Sequence, residues 1–168
     1  MVSATSWISL KGVVRVPGEY AVLRSDFGLW ASMTMVATMF LEGTPARVRL
    51  DRQLIRSGER ELPFDEIDTA RIDAESLRLN KLQLIFGKKD EFEFGVDLRK
   101  GAEIVVSERT KELLAVVLAA SSIEIPTDRY DPKGKFARSG SPFNITRDEA
   151  IELVRHPPLK GEPLPITL

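Results

Sequence analysis

The chain contains no cysteine, which excludes disulfide bonds, thiolate nucleophiles and cysteine-bound metals together. Histidine occurs once, at His156, so a site that needs two histidines from one chain is also excluded. Charge of one sign is not in excess, because 24 Lys and Arg stand against 25 Asp and Glu. The chain as a whole therefore exerts no long-range attraction on nucleic acid or an acidic membrane. We expect a cytoplasmic or otherwise disulfide-independent setting.

Motifs for phosphate binding and catalysis are also missing. Gly134-Lys135 lacks the preceding glycine and the following Ser or Thr of a P-loop. The close carboxylates that we considered for acid–base chemistry are Asp65-Glu66 and those of the stretch 90–93, and carboxylates in turns or at strand edges are usually solvated. We therefore predict a protein that is not an enzyme and that binds neither a cofactor nor a metal.

Short alternating strands dominate residues 46–121. The clearest pair has apolar residues at every second position, with a polar stretch of hairpin length, 87–90, between the two strands. Its glycine, Gly87, is free to take a positive φ. Because a lone hairpin is only marginally stable in water, its apolar face needs a cover. The alternating apolar residues are Leu82, Leu84 and Phe86, then Phe92, Phe94 and Val96. The charged residues predicted in the turn or on the solvent side are Lys88, Lys89, Glu91, Glu93 and Asp97.

A helix from Glu108 to about Ala120 is the predicted cover. Ser107 can accept hydrogen bonds from the N–H groups of the first turn, and Glu108 suits the positive end of the helix dipole. Four apolar residues recur at helical spacing, and their burial is worth roughly 1.5–3 kcal/mol each before the entropy cost. These residues are Leu113, Leu114, Val117 and Leu118.

The residues before the hairpin predict further short strands. Residues 47–51 alternate, and the run continues through Leu54 and Ile55 to a turn at Ser57-Gly58. Pro63 cannot donate to a strand ladder, so the strand that contains it is predicted to be short or at an edge. Residues 65–74 fit either a strand or a helical turn.

Residues 46–121 resemble the bacterial pleckstrin-homology-like (PH-like) domains. The motifs that carry the resemblance are Val48-Arg49-Leu50 with Leu54-Ile55-Arg56, the run Leu62-Pro63-Phe64-Asp65-Glu66-Ile67, and the hairpin with its following helix. The resemblance implies an α+β, mainly β fold: a PH-like partly open barrel of about 6–7 antiparallel strands closed by one C-terminal helix. Such domains mostly bind or assemble, and they share no catalytic residues to carry over.

Three parts are predicted along the chain. Residues 45–125 form the barrel with its closing helix. Residues 1–44 hold strands or an arm and an apolar helix. The uncharged stretch Phe27–Leu41 would reach about 22 Å as a helix, short of the roughly 30 Å hydrocarbon core. A core or interface helix, a membrane-surface or partner-binding helix, and a transmembrane helix are the alternatives, in decreasing order of preference. Residues 126–168 hold a linker, a short helix opened by a capping box at Thr146 and Glu149, and a Pro-rich extended tail.

Two sets of residues are candidates for binding. Arginine and lysine around the first hairpin and the later turn suit phosphate or lipid headgroups, and PH-type lipid binders look similar in place. Interleaved Asp51, Glu59 and Glu61 dilute that charge, so a mixed solvated face is the alternative. For the apolar tail, packing on its own domain is the alternative. The basic candidates are Arg47, Arg49, Arg52, Arg56, Lys88 and Lys89, and the candidate partner or membrane contacts are Phe27, Trp30, Met33, Phe40, Leu164 and Ile166.

The leading interpretation is a non-enzymatic PH-like binding or assembly module that acts through protein–protein contacts, with a protein partner or in a homo-oligomer. A peripheral membrane module at the inner face of the membrane is the alternative, with basic residues on headgroups and the apolar helix in the interface. A structural subunit of a larger assembly, for instance a viral one, is the second alternative. Nucleic acid is not predicted as a partner, because no basic run is interleaved with exposed aromatic residues.

Overall fold

The computed structural model describes residues 6–10, 13–15, 46–74, 81–89, 91–124 and 143–164. These residues form two antiparallel sheets and two α-helices, so the fold is α+β and mainly β, as predicted. Neither of these helices is long and apolar enough to span a membrane. The stretch Phe27–Leu41, with four of the candidate contacts, and Ile166 lie outside the described residues.

Ten strands and two helices make up the described chain. The strands are β1 (Ile8–Leu10), β2 (Val13–Arg15), β3 (Ala46–Arg49), β4 (Leu54–Ser57), β5 (Arg60–Pro63), β6 (Thr69–Ala74), β7 (Lys81–Lys88), β8 (Phe92–Lys100), β9 (Glu103–Ile104) and β10 (Phe143–Asn144). The helices are α1 (Glu108–Ala119) and α2 (Arg147–Arg155), and a 3₁₀ turn covers Phe64–Glu66.

The first sheet has the strand order β1-β3-β4-β5. Its buried side carries Val48, Ile55 and Leu62, which are cross-strand neighbours, and alternation puts the arginines of β3 and β4 on the other side. In the described residues β5 is an edge strand of four residues ending at Pro63, so the prediction for this strand is confirmed. The stretch 65–74 contains both predicted alternatives, because the 3₁₀ turn precedes β6.

The second sheet has the order β10-β6-β7-β8-β2, with β9 also paired to β8. The predicted hairpin is β7–β8, in which Phe86 is paired with Phe94, and the two rings meet edge to face at 5.4 Å. Gly87 does not adopt a positive φ. Glycine is needed there for a different reason, since a Cβ at Gly87 would overlap the carbonyl oxygen of Phe92.

The outer side of the second sheet is less exposed than alternation alone predicts. Gln83 and Ile85 are both buried there. Arg71 of β6 reaches across β7 to Glu93 of β8 and donates two hydrogen bonds, at 2.7 and 2.8 Å. This ion pair passes over β7 and holds Glu93 against the sheet, with only 15% of its side chain exposed.

Helix α1 covers the hydrophobic core, as predicted. Leu114, Val117 and Leu118 are fully buried in the same cluster as the aromatic residues of the hairpin. Ser107 accepts a hydrogen bond from the Thr110 N–H at 3.3 Å and so caps the helix. The predicted capping box of α2 is also present, and the Thr146 N–H donates to Glu149 at 2.8 Å.

The two N-terminal strands belong to different sheets. Leu10 of β1 is paired with Ala46 in the first sheet, and Val13 of β2 is paired with Gly95 in the second. In the described residues no continuous strand ladder closes the two sheets into a barrel. Each of the three predicted parts of the chain contributes to these sheets or to the helices beside them. The first part contributes β1 and β2, the second contributes β3 to β9 with α1, and the third contributes β10 and α2. The division into three parts stays a prediction.

Candidate functional site

Three candidate arginines project from the outer side of the first sheet. Because Val48 and Ile55 are buried, the residues that alternate with them on β3 and β4 face outward. Arg47 of β3 lies directly opposite Arg56 of β4. Arg49 lies two residues further along β3, on the same side of the sheet.

Trp7 lies beside two of these arginines. It directly precedes β1, and β1 is paired with β3 through Ile8 and Val48, which brings the indole next to the arginines. The guanidinium carbon of Arg56 is 5.0 Å from the centroid of the Trp7 ring, and that of Arg49 is 5.6 Å away. Both distances lie within the range of a cation–π interaction. We call the surface formed by Trp7, Arg47, Arg49 and Arg56 the Trp7 face.

Arg49 is paired with a carboxylate in the turn that follows its strand. Its Nε donates to Asp51 Oδ1 at 2.9 Å, and its Nη2 donates to Oδ2 at 2.7 Å. The turn that places Asp51 ends at Gln53, which has a positive φ of 48° and donates through its N–H to the Leu50 carbonyl at 3.3 Å. The hydrogen bonds from Arg49 lower the pKa of Asp51, and the same bonds raise the pKa of Arg49.

Arg56 is paired less tightly. Its cross-strand neighbour is Glu61 of β5, and the Nε of Arg56 lies 3.3 Å from Oε1 of Glu61. Both side chains are 47% exposed, so this ion pair contributes little to stability. Within the part of the chain that the structure describes, no carboxylate lies within ion-pair distance of Arg47 or Arg52. The Trp7 face therefore combines two arginines that hold carboxylates with a third, Arg47, that holds none.

The two candidate lysines interact with a different set of residues. The Nζ atom of Lys88 lies 3.0 Å from Oε2 of Glu66 and 3.4 Å from Oε2 of Glu91. Hydrogen bonds to Glu66, the larger cause, and to Glu91 raise the pKa of Lys88. The backbone N–H of Lys89 donates to Asp68 at 2.9 Å. These contacts fasten the β7–β8 turn to the segment after β5, and none of them involves an arginine of the first sheet. The structure thus separates the two candidate lysines from the arginines of the first sheet, because the two groups contact different acidic residues.

The C-terminal tail is fastened to its own domain as far as the structure describes it. The buried guanidinium of Arg99 donates to the Pro158 carbonyl at 3.1 Å. Leu164, a candidate partner contact, is partly buried and packs against the hydrophobic core. Packing of the tail on its own domain was the alternative interpretation of Leu164, and that contact with the core favours it.

Two open grooves lie elsewhere on the surface. One of about 660 Å³ lies between the end of α1 and the start of α2, and includes Ser121, Thr146 and Arg147. The other, of about 490 Å³, runs along α1 and α2 and includes Val116, which is 51% exposed. Within the described ranges, no group of three or more His, Asp or Glu could hold a metal ion.

Trp7 is the residue that sequence reasoning missed. The sequence predicts only strands or an arm with an apolar helix for residues 1–44, and no motif singles out this indole. Its arginine neighbours lie more than 40 residues away in sequence, so their contact depends on the β1–β3 pairing. Comparisons with protein-family models, curated proteins and solved structures found no match for this chain.

Proposed function

We propose that the chain is a non-enzymatic PH-like binding or assembly module that acts through protein–protein contacts. The order of elements supports a PH-like, partly open barrel: the strands β3 to β9 are followed directly by one helix, α1, that covers the core. The N-terminal segment adds a strand to each sheet. The register of these strands determines which side chains lie together on the outer side of the sheet.

The Trp7 face carries the proposal. Tryptophan and arginine are the side chains most enriched among residues that dominate the energy of protein–protein interfaces. Here one indole and three arginines lie together on a sheet whose other side is packed in the core. The acidic residues nearby are held by arginines or exposed, an arrangement that suits recognition better than acid–base chemistry.

Site-specific photo-crosslinking in the native host tests this proposal. A benzoylphenylalanine at Ser9, an exposed residue of β1 directly opposite Arg47, should give a discrete protein adduct or a crosslinked dimer. The substitution Arg47→Glu in the same chain should remove that adduct. The matched control places the crosslinker at Val116, which is also exposed but lies on α1. Adducts that survive Arg47→Glu, or that form equally well from Val116, would contradict the assignment to the Trp7 face.

The membrane alternative is read out by the same experiment. Crosslinking to lipid from Ser9, with the chain recovered in the membrane fraction, would replace the protein–protein proposal with a peripheral membrane module. The pairing of Lys88 with Glu66 and Glu91 weakens that alternative, because it holds this lysine at the β7–β8 turn and apart from the arginines of the Trp7 face. A mass in solution that rises with concentration would separate a structural subunit from a monomeric binder.

A further inference from the structure

The arginines of the Trp7 face keep hydrogen-bond donors beyond those that their internal carboxylates use. A guanidinium has five N–H donors, and one carboxylate accepts at most two of them in the forked geometry. Arg49 uses its Nε and Nη2 for Asp51, and Arg56 approaches Glu61 through its Nε. Each guanidinium can therefore donate to a second carboxylate, or can exchange the internal carboxylate for an external one.

We propose that the Trp7 face binds an extended acidic peptide segment, whose carboxylates contact Arg47 and compete with Asp51 and Glu61 for Arg49 and Arg56. This inference rests on the proposed function, because it names the class of partner for the same surface. Trp7 supplies the apolar contact between the charged groups. Asp51 and Glu61 act as internal competitors that occupy the arginines when no partner is bound.

The spacing of the arginines fits an extended peptide. Arg47 and Arg49 are two residues apart on one strand and share a face, so their positions along β3 differ by roughly 6.5–7 Å. Carboxylates at alternate positions of an extended peptide repeat at the same distance, about 6.5–7 Å, on one side of the peptide. A peptide that lies over the outer side of the sheet, along β3, can thus present acidic residues to both arginines. Its backbone does not need to pair with an edge strand.

The charge distribution favours a short acidic peptide over a membrane or nucleic acid. Residues 46–63 contain five arginines with three carboxylates interspersed among them, and the whole chain has a net charge of −1. A large polyanionic surface would meet Asp51, Glu59 and Glu61 as well as the arginines. A peptide with carboxylates at alternate positions contacts the arginines individually. The exposed Arg56–Glu61 pair contributes little to stability, so the exchange of Glu61 for a peptide carboxylate costs little.

Fluorescence anisotropy with the full chain and a labelled synthetic peptide tests the inference. The probe is a ten-residue peptide of alternating Glu and Ser, and its matched control has the same composition with all Glu in one block. The alternating peptide should bind more tightly, and the binding should weaken as NaCl rises from 50 to 200 mM. Equal affinity for the two peptides would overturn the spacing argument.

Variants of the internal competitors give the sharpest readout. Asp51→Asn and Glu61→Gln should each raise the affinity about two- to fivefold, because each removes a carboxylate that holds an arginine. Glu112→Gln, an exposed carboxylate on α1, changes the net charge by the same amount and should have little effect. An equal gain from Glu112→Gln would show that only the net charge matters and would overturn the inference.

Variants that remove contacts should act in the opposite direction. Trp7→Ala should weaken binding of the alternating peptide about fivefold. If Trp7→Ala unfolds the chain, Arg47→Ala replaces it in the test, since no described carboxylate pairs with Arg47, and it should also weaken binding. Unchanged binding by folded Arg47→Ala would overturn the inference. A crosslinked protein adduct from Ser9 without peptide binding would overturn this inference and leave the proposed function standing; loss of both would remove both.

Discussion

The substitution Gly87→Ala should destabilise the fold strongly, although it adds one methyl group to a glycine without a positive φ. Gly87 lies in β7 between Thr69 of β6 and Glu93 of β8. A Cβ there would overlap the backbone carbonyl oxygen of Phe92 and lie 2.9 Å from its carbonyl carbon. Because the obstacle is backbone, no side-chain rotation can relieve the overlap, and the hairpin itself must shift.

The size of the effect follows from what that shift would strain. The Gly87 carbonyl accepts hydrogen bonds from the Asp68 N–H at 3.0 Å and the Thr69 hydroxyl at 3.2 Å. Overpacking costs about 1–3 kcal/mol, and a weakened hydrogen bond adds roughly 0.5–1.5 kcal/mol. We expect a loss of about 3 kcal/mol or more in the free energy of unfolding, which lowers Tm by roughly 6–12 °C in a domain of this size.

The same substitution at Gly58 is the matched control. Gly58 lies in the turn between β4 and β5 with φ +60°, and a Cβ there would have nothing within 4 Å. The left-handed backbone costs about 1–2 kcal/mol with alanine, and reduced entropy of the unfolded chain returns about 0.4–1 kcal/mol. Urea unfolding followed by far-UV circular dichroism measures both variants. A loss at Gly87 no larger than that at Gly58 would refute the close-approach argument.

Three further predictions concern the helices and the Asp51 ion pair. Thr146→Ala should cost about 1 kcal/mol by removing the cap of α2, and Thr146→Ser should restore most of it. Leu114→Ala should cost about 2–5 kcal/mol because its side chain is fully buried, whereas the exposed Val116→Ala should stay within about 0.5 kcal/mol; equal losses would contradict the placement of α1. The lowered pKa of Asp51 means that its ion pair stabilises the fold above the unfolded-state pKa of about 3.9 and loses this effect as pH falls further. Urea midpoints between pH 7 and 3 should therefore fall less steeply for Asp51→Asn than for the natural chain, and parallel curves would argue against it.

Local patterns predicted the elements that local physics determines. The hairpin β7–β8 follows from alternation and a polar loop, and α1 follows from helical spacing with a capping serine. The edge position of β5 follows from one residue, Pro63, that cannot donate to a neighbouring strand. In each case the residues that determine the element lie within one turn or one pair of adjacent strands. The sequence pattern alone is therefore enough to predict the element.

Contacts between distant strands could not be predicted in this way. The ion pair over β7 joins Arg71 of β6 to Glu93 of β8, 22 residues away in sequence. The Trp7 face depends on the register of β1 against β3. Alternation predicts which residues of a strand share a side of the sheet. It predicts neither the neighbouring strand nor the register, and these two determine which charged side chains come into contact.

The two sheets hold their outer charges differently, and this difference supports the proposed binding surface on the first sheet. On the second sheet, the Arg71–Glu93 pair bridges three strands and is largely enclosed, with 34% and 15% of the side chains exposed. Removing one member would leave a partly buried charge without its partner, so such substitutions should lower stability. On the first sheet, Arg56 and Glu61 are each 47% exposed and join only adjacent strands. Arg49 and Asp51 are 17% and 28% exposed, but they join one strand to the turn that follows it. Exchange of Glu61 for a carboxylate of a partner should therefore leave the fold intact, which is the property that the proposed binding surface needs.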